Sequence, residues 1–188
     1  MTTLDRFLPE YRHSEVHETV VAASPEAVMR AVWSVTVREI PLAGVLFRIR
    51  SLPARLLRRP LPDRDVNRPI LEVSTGGGGF IVLEQGPTEV VLGVVGRFWR
   101  LATRDVVKFS TPEEFVAFGG EGYAKAVINF LVNSVEGRTR LRTETRILPL
   151  GAEAARRFGL YWFFVHPVSA LLRRMWLRAI RRRAEAGR

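Results

Sequence analysis

The chain has no cysteine, which removes disulfides, thiolate metal sites and thiol nucleophiles at once and points weakly to a reducing compartment. It is also nearly free of lysine: of 29 basic residues, Lys108 and Lys125 are lysine and the rest are arginine. A Gly-x-Ser-x-Gly elbow is missing, and the adjacent Glu113 and Glu114 would point in opposite directions on a strand, so hydrolase and glycosidase readings have no positive support. The four glycines at 76–79 lack the Gly-Lys-Ser/Thr of a phosphate loop, and Ile81 stands where a dinucleotide fingerprint needs its third glycine. A bend entering the next strand accounts for them. Residues 159–172 carry no Asp, Glu, Lys or Arg, yet that run is shorter than the ~20 residues a bilayer span requires and is interrupted by His166-Pro167. The N-terminus lacks the basic and apolar regions of a secretory signal, which leads us to expect a cytoplasmic protein.

What is present is apolar and cationic. With 188 residues, of which 47% are hydrophobic, the chain can bury one sizeable core. A single domain is expected over 1–188, with an N-terminal arm at 1–13, the domain proper at 14–184 and a tail at 185–188. The net charge of +10 invites a nucleic-acid reading. The arginines are scattered through every segment, however, and no recognition module accompanies them, so nucleic acid is set aside.

Alternation and capping give the element order. HSEVHETVVA (13–22) has strand character, and Ser24-Pro25-Glu26 reads as an N-cap followed by proline at the first helical position. A basic, apolar stretch from Arg38 to Arg59 is broken by Pro41 and Pro53 into short helices. Strands are expected at ILEVS, FIVLEQ and EVVLGVVGRFW, a short one at FVAF (115–118), then YAKAVINFLVNSV (123–135) and RTRLRTETRILPL (138–150) around a Glu136-Gly137 turn. In the last of these, Arg138, Arg140, Arg142, Glu144 and Arg146 take one face, and Thr139, Leu141, Thr143, Thr145 and Ile147 the other. From about Gly151 a helical period runs to the C-terminus, with a kink expected at Pro167.

This is an α+β pattern: a curved antiparallel sheet wrapped around a long C-terminal helix, with short helices between the first and second strands. The SPEAV helix start after the first strand, the pair YAKAVINFLV and RTRLRTETRIL, and the final helix resemble the helix-grip superfamily over roughly residues 13–184. That group includes START-type lipid-transfer domains, pollen-allergen-type carriers and polyketide cyclases/dehydratases. The resemblance implies an apolar cavity between sheet and helix.

On the final helix, Phe158, Trp162, Val165, Ser169, Leu172, Trp176 and Ile180 fall in one sector, which we assign to the sheet. The opposite side carries Leu160, Phe163, Phe164, Pro167 and Leu171 and then arginines. Candidate ligand-binding residues are therefore Phe158, Trp162, Val165, Ser169, Leu172 and Trp176 on the helix, facing Ile128, Phe130, Leu141 and Thr143 on the paired strands. Arg97 and Trp99 would stand at the mouth. The expected function is binding or transport of a small hydrophobic or amphipathic molecule, with no cofactor. The enzyme alternative is a cyclase or dehydratase using Tyr161, His166 or Asn129 as acid-base or hydrogen-bonding groups. The third class is an interaction module, in which the outward apolar stripe makes a homodimer or the arginines meet an anionic membrane surface. His13, Glu15 and His17 share a strand face but lack a metal-site pattern and read as a solvated face, so no metal is expected.

Overall fold

The structure is a computed structural model and describes residues 2–40, 66–77, 79–100 and 105–187. Its elements run α1 (Thr3–Phe7), β1 (His13–Val21), α2 (Pro25–Ser34), a 3-10 turn (Val37–Glu39), α3 (Ile70–Gly77), β2 (Ile81–Gln85), β3 (Glu89–Gly96), β4 (Val106–Val107), α4 (Pro112–Ala117), β5 (Ala124–Val135), β6 (Arg138–Pro149) and α5 (Ala152–Ala186). The strands form one curled antiparallel sheet in the order β1-β6-β5-β3-β2. One edge of β3 is shared: β2 pairs along it from Glu89's side as far as Gly93, and β4 takes over at Val95 and Gly96. The β5–β6 hairpin turns through Glu136 and Gly137, both at positive φ (49° and 73°), the backbone that a two-residue turn matched to strand twist demands.

α2 starts where its sequence signal places it, with the Ser24 hydroxyl accepting from the Ala27 amide at 3.3 Å and Pro25 at the first helical position. α5, α2 and α3 cover the inner face of the sheet. There Phe130, Leu141, Val90 and Leu92 pack against Val28, Val32, Leu71, Leu177 and Ile180. Nearer the start of α5, Phe158 packs with Ala126, Ile147, Phe98 and Trp99. The outer face is covered by α1 and α4, which lay Leu4, Phe7, Leu8 and Phe115 on Val91, Val95 and Val127.

Several expectations are corrected. ILEVS forms the helix α3 instead of a strand: its burial falls on one residue in the turn, Leu71, and the Thr75 hydroxyl donates back to the Leu71 carbonyl at 2.9 Å. FVAF lies in and just after α4, where Thr111 caps the Glu114 amide at 3.3 Å with Pro112 at the first position and Glu113 and Glu114 in the first turn. The N-terminal arm buries Leu4, Phe7 and Leu8. Helix α5 spans Pro167 as one helix, without a restart there. Pro167 is exposed, as is Phe163 one turn back, so the carbonyl that loses its amide partner faces water and the helix need not open. Most of the expected short helices of 38–59 lie outside the described residues.

Candidate functional site: a polar belt between the sheet and the C-terminal helix

β1 is laid in with its alternation inverted. Val16 and Val20 are each 46% exposed, while Glu15 is 7% exposed; His13, His17 and Thr19 on the same face are half-buried. A sheet strand normally turns its apolar side to the core, so β1 places titratable groups where valines would serve stability better. The reason is visible across the gap. β1 pairs with β6 so that Glu15 lies opposite Thr145 and His17 opposite Thr143, and both threonines are buried. Facing them, α5 brings Ser169 and Arg173 one turn apart. The solvated-face reading of His13, Glu15 and His17 is thus wrong: α5 covers them.

The carboxylate of Glu15 organises this belt. His17 Nε2 hydrogen-bonds Glu15 Oε1 at 2.5 Å, and Ser169 Oγ donates to Oε2 at 3.0 Å. Ser169 donates to the acid rather than to the imidazole, so the set is no nucleophile-base relay. Burial of the Arg173 guanidinium brings it down to about 10, against the opposing pull of Glu15. The guanidinium sits 5.3 Å from the Trp176 ring, whose centroid lies 4.9 Å from that of Phe130. His13, one step up the strand, packs 5.2 Å from Phe158 and 5.8 Å from Trp162. Its imidazole is held below the ordinary histidine value by burial, then by Arg12.

Three atoms of this layer are buried without a hydrogen-bond partner: Arg173 Nη1, Trp176 Nε1 and His13 Nε2. The first two can only donate. A buried donor left unmade costs about 1–3 kcal/mol, and these two belong to neighbouring side chains in contact. An acceptor oxygen meeting both atoms would satisfy them. Among the described residues no group of three or more His, Asp or Glu could hold a metal ion.

The sequence-derived candidates divide over this layer. Phe130, Leu141 and Ile128 are inward but tightly packed, and Thr143 donates to the Asn129 carbonyl at 2.6 Å. Phe158 is fully buried, whereas Trp162, Val165, Ser169, Leu172 and Trp176 are half-buried along the helix. Asn129 is on the opposite face of the sheet: its amide donates to Glu89 at 2.6 Å and accepts from the Glu144 amide at 2.8 Å. His166 is exposed beside Trp162, and Tyr161 packs 5.7 Å from Phe158, so Tyr161, His166 and Asn129 do not converge. Arg97 and Trp99 do line a cleft of about 110 Å³, with Arg100, Gly122, Glu153, Ala154 and Arg157. That volume is below the few hundred Å³ typical of ligand pockets. Its cations are also matched, since Arg97 and Arg100 both reach Asp105 and Arg157 pairs with Glu153. Glu15 and His17 were weighed in the sequence only as a metal set and set aside, and Arg173 was not a candidate; the signal that could have found them was the charged face of β1 read together with Arg173, one turn beyond Ser169.

The six-stranded sheet gripping α5 is a helix-grip architecture. No family model and no curated protein matches the chain. Among solved structures it is similar to the crystal structure of TTHA0849 from Thermus thermophilus, with a TM-score of 0.36, 11% identity and coverage of 93% of this chain and 99% of that one. It is also similar to that of Ara h 8.0201, with a TM-score of 0.30, 10% identity and coverage of 93% and 98%. Among the described residues no helix is long and apolar enough to cross a membrane.

Proposed function

We propose that this protein reversibly binds a small amphipathic molecule between the sheet and α5, apolar body against Phe158, Trp162, Val165 and Leu172, and an acceptor-bearing end on the polar belt. The observation that carries the reading is the pair of unpartnered buried donors, Arg173 Nη1 and Trp176 Nε1. A ligand oxygen meeting both would satisfy them and gain a charge-assisted bond from the arginine. The cluster of apolar side chains on either side would supply most of the affinity and the belt most of the orientation.

Two dyes of the same ring body test this, anilinonaphthalene sulfonate and uncharged phenylnaphthylamine. The sulfonated dye should saturate one site more tightly than the neutral one. Trp176→Phe keeps an aromatic ring but deletes the indole N–H together with its five-membered ring, so it should weaken the sulfonated dye by about fivefold more than the neutral dye, the excess being the worth of one ~1 kcal/mol hydrogen bond. Equal affinity of the sulfonated dye for folded wild type, Trp176→Phe and Arg173→Met would remove the belt from ligand binding.

A second reading, a cyclase- or dehydratase-like enzyme, is favoured by the Glu15–His17 pair. A carboxylate beside an imidazole can take a proton next to a carbonyl whose oxygen rests on Arg173. Glu15→Gln would then abolish turnover of a polyketide-like substrate yet retain dye binding, whereas a pure carrier has no turnover to lose.

A further inference from the structure

The outward face of α5 is built differently from its inner face. Leu160, Phe163, Phe164 and Leu171 are exposed by 66%, 75%, 67% and 46%, and Phe163 meets Phe164 edge-on at 5.3 Å. At ~100° per residue these four and Pro167 occupy one sector, about 16 Å long at ~1.5 Å rise per residue. The same sector is bracketed by exposed Arg156 and Arg157 on one side and by exposed Arg174, Arg178, Arg181 and Arg182 on the other. Against these cations the sector carries two acids, Glu153, paired with Arg157 at 2.6 Å, and Glu185, paired with Arg181 at 3.4 Å.

Charge decides what can cover this patch. A second copy docked antiparallel about the middle of the patch, between Val165 and His166, sets Arg157 of one chain against Arg174 of the other. Parallel docking sets each arginine against its own counterpart. Both bring like charges together at the rim of a contact whose apolar centre is small. An anionic lipid surface has the opposite sign at both ends and an acyl boundary in the middle, into which an apolar helix face sinks by ~5–10 Å. We propose that the protein docks on anionic membrane surfaces through this face, Phe163 and Phe164 entering the acyl boundary while Arg156, Arg157, Arg174 and Arg178 meet lipid phosphates. The proposal stands apart from what lies between the sheet and α5.

The test is co-sedimentation of the full chain with vesicles of phosphatidylcholine alone or mixed equally with phosphatidylglycerol, alongside sedimentation equilibrium without lipid. Binding is expected to the mixed vesicles and to be far weaker on the neutral ones. Arg174→Gln with Arg178→Gln should lower it roughly thirtyfold, and Phe163→Ser with Phe164→Ser on the order of tenfold or more. All these positions are exposed, and circular dichroism confirms that the variants fold. Raised salt should weaken the wild type more than the variant lacking Arg174 and Arg178, which keeps Arg156 and Arg157. The proposal is overturned by equal binding to both vesicle types, by folded phenylalanine variants that bind as wild type does, or by a lipid-free homodimer that those same substitutions dissociate.

Discussion

The two faces of the sheet both bury charge, and they treat it in opposite ways. On the outer face, under α1, Arg146 donates through Nε to Glu144 and through Nη1 to Asp5, each at 2.6 Å, and also reaches the Leu8 carbonyl and Thr2. Glu89 accepts from Asn129 and Thr3, and Lys125 donates to the Val116 carbonyl at 2.8 Å over the Phe115 ring. On the inner face the belt around Glu15 leaves Arg173 Nη1, Trp176 Nε1 and His13 Nε2 without partners. A closed network holds an element in place; an open one holds capacity for something that is not part of the chain. We read the outer network as the clasp of α1 and the inner one as the site of the binding proposed above.

The comparison breaks most visibly on arginine. Arg146→Ala leaves Glu144, 5% exposed, without its closest cation in a buried setting, and a loss of about 3–5 kcal/mol in urea-melt stability is expected. Arg173→Met keeps the aliphatic length and removes a guanidinium whose Nη1 has no partner, while Glu15 keeps His17 and Ser169. Its effect should lie within about 1 kcal/mol of wild type and can be stabilising. Equal destabilisation by the two substitutions would erase the distinction between a clasp and a binding site.

Acid separates the faces by the pH at which each weakens. Side-chain bonding to Arg146, then the Thr2 amide, lowers Asp5 from 3.8 to about 2. The folded value lies below the unfolded one, so its contribution is present above pH 3.8 and is lost as pH falls through about 2. His13 is lowered from 6.5 by burial and then by Arg12, so between its folded value and 6.5 the unfolded chain binds more protons and stability falls as pH drops below that point. Melting temperature should therefore decline first just below pH 6.5, through the inner face. Detachment of α1, read as loss of amide protection at residues 3–8, should follow only near pH 2. His13→Phe should flatten the first step and leave the second.

Much of this fold is legible in the sequence for a specific reason: its main elements carry local signals. The strict alternation of Arg138–Ile147 fixes β6 and, through Glu136-Gly137, β5; Ser24-Pro25 fixes the start of α2. The short helices α3 and α4 are harder, since five to eight apolar residues fit strand and helix alike, although the Thr111-Pro112-Glu113 cap was there to read. The belt was the least legible part. His13, Glu15 and His17 alternate as any solvated face does, and nothing local to β1 says that α5, some 150 residues on, will lie over them. The exposed Val16 and Val20 are the complementary clue, because an edge strand that turns valine outward and glutamate inward has chosen its core side for something other than stability.

The smallest expected effects sharpen the comparison at the level of caps. Ser24 begins α2 on the inner face and Thr111 begins α4 on the outer face, each accepting one helix amide at 3.3 Å. Alanine at either position removes about 1 kcal/mol from the local helix. The consequences should differ, because α2 buries Val28, Met29, Ala31 and Val32 in the cluster that α5 closes, whereas α4 buries only Phe115 among its six residues. Ser24→Ala should thus lower global stability by nearly the full cap energy, since α2 unfolds only with the core. Thr111→Ala should instead raise hydrogen exchange within 112–117 while the urea midpoint moves by less than about 0.5 kcal/mol, as local opening of α4 leaves the sheet intact. A midpoint shift as large for Thr111→Ala as for Ser24→Ala would show that α4 is integral to the folding unit, and would place the outer clasp in the same cooperative core as the inner face.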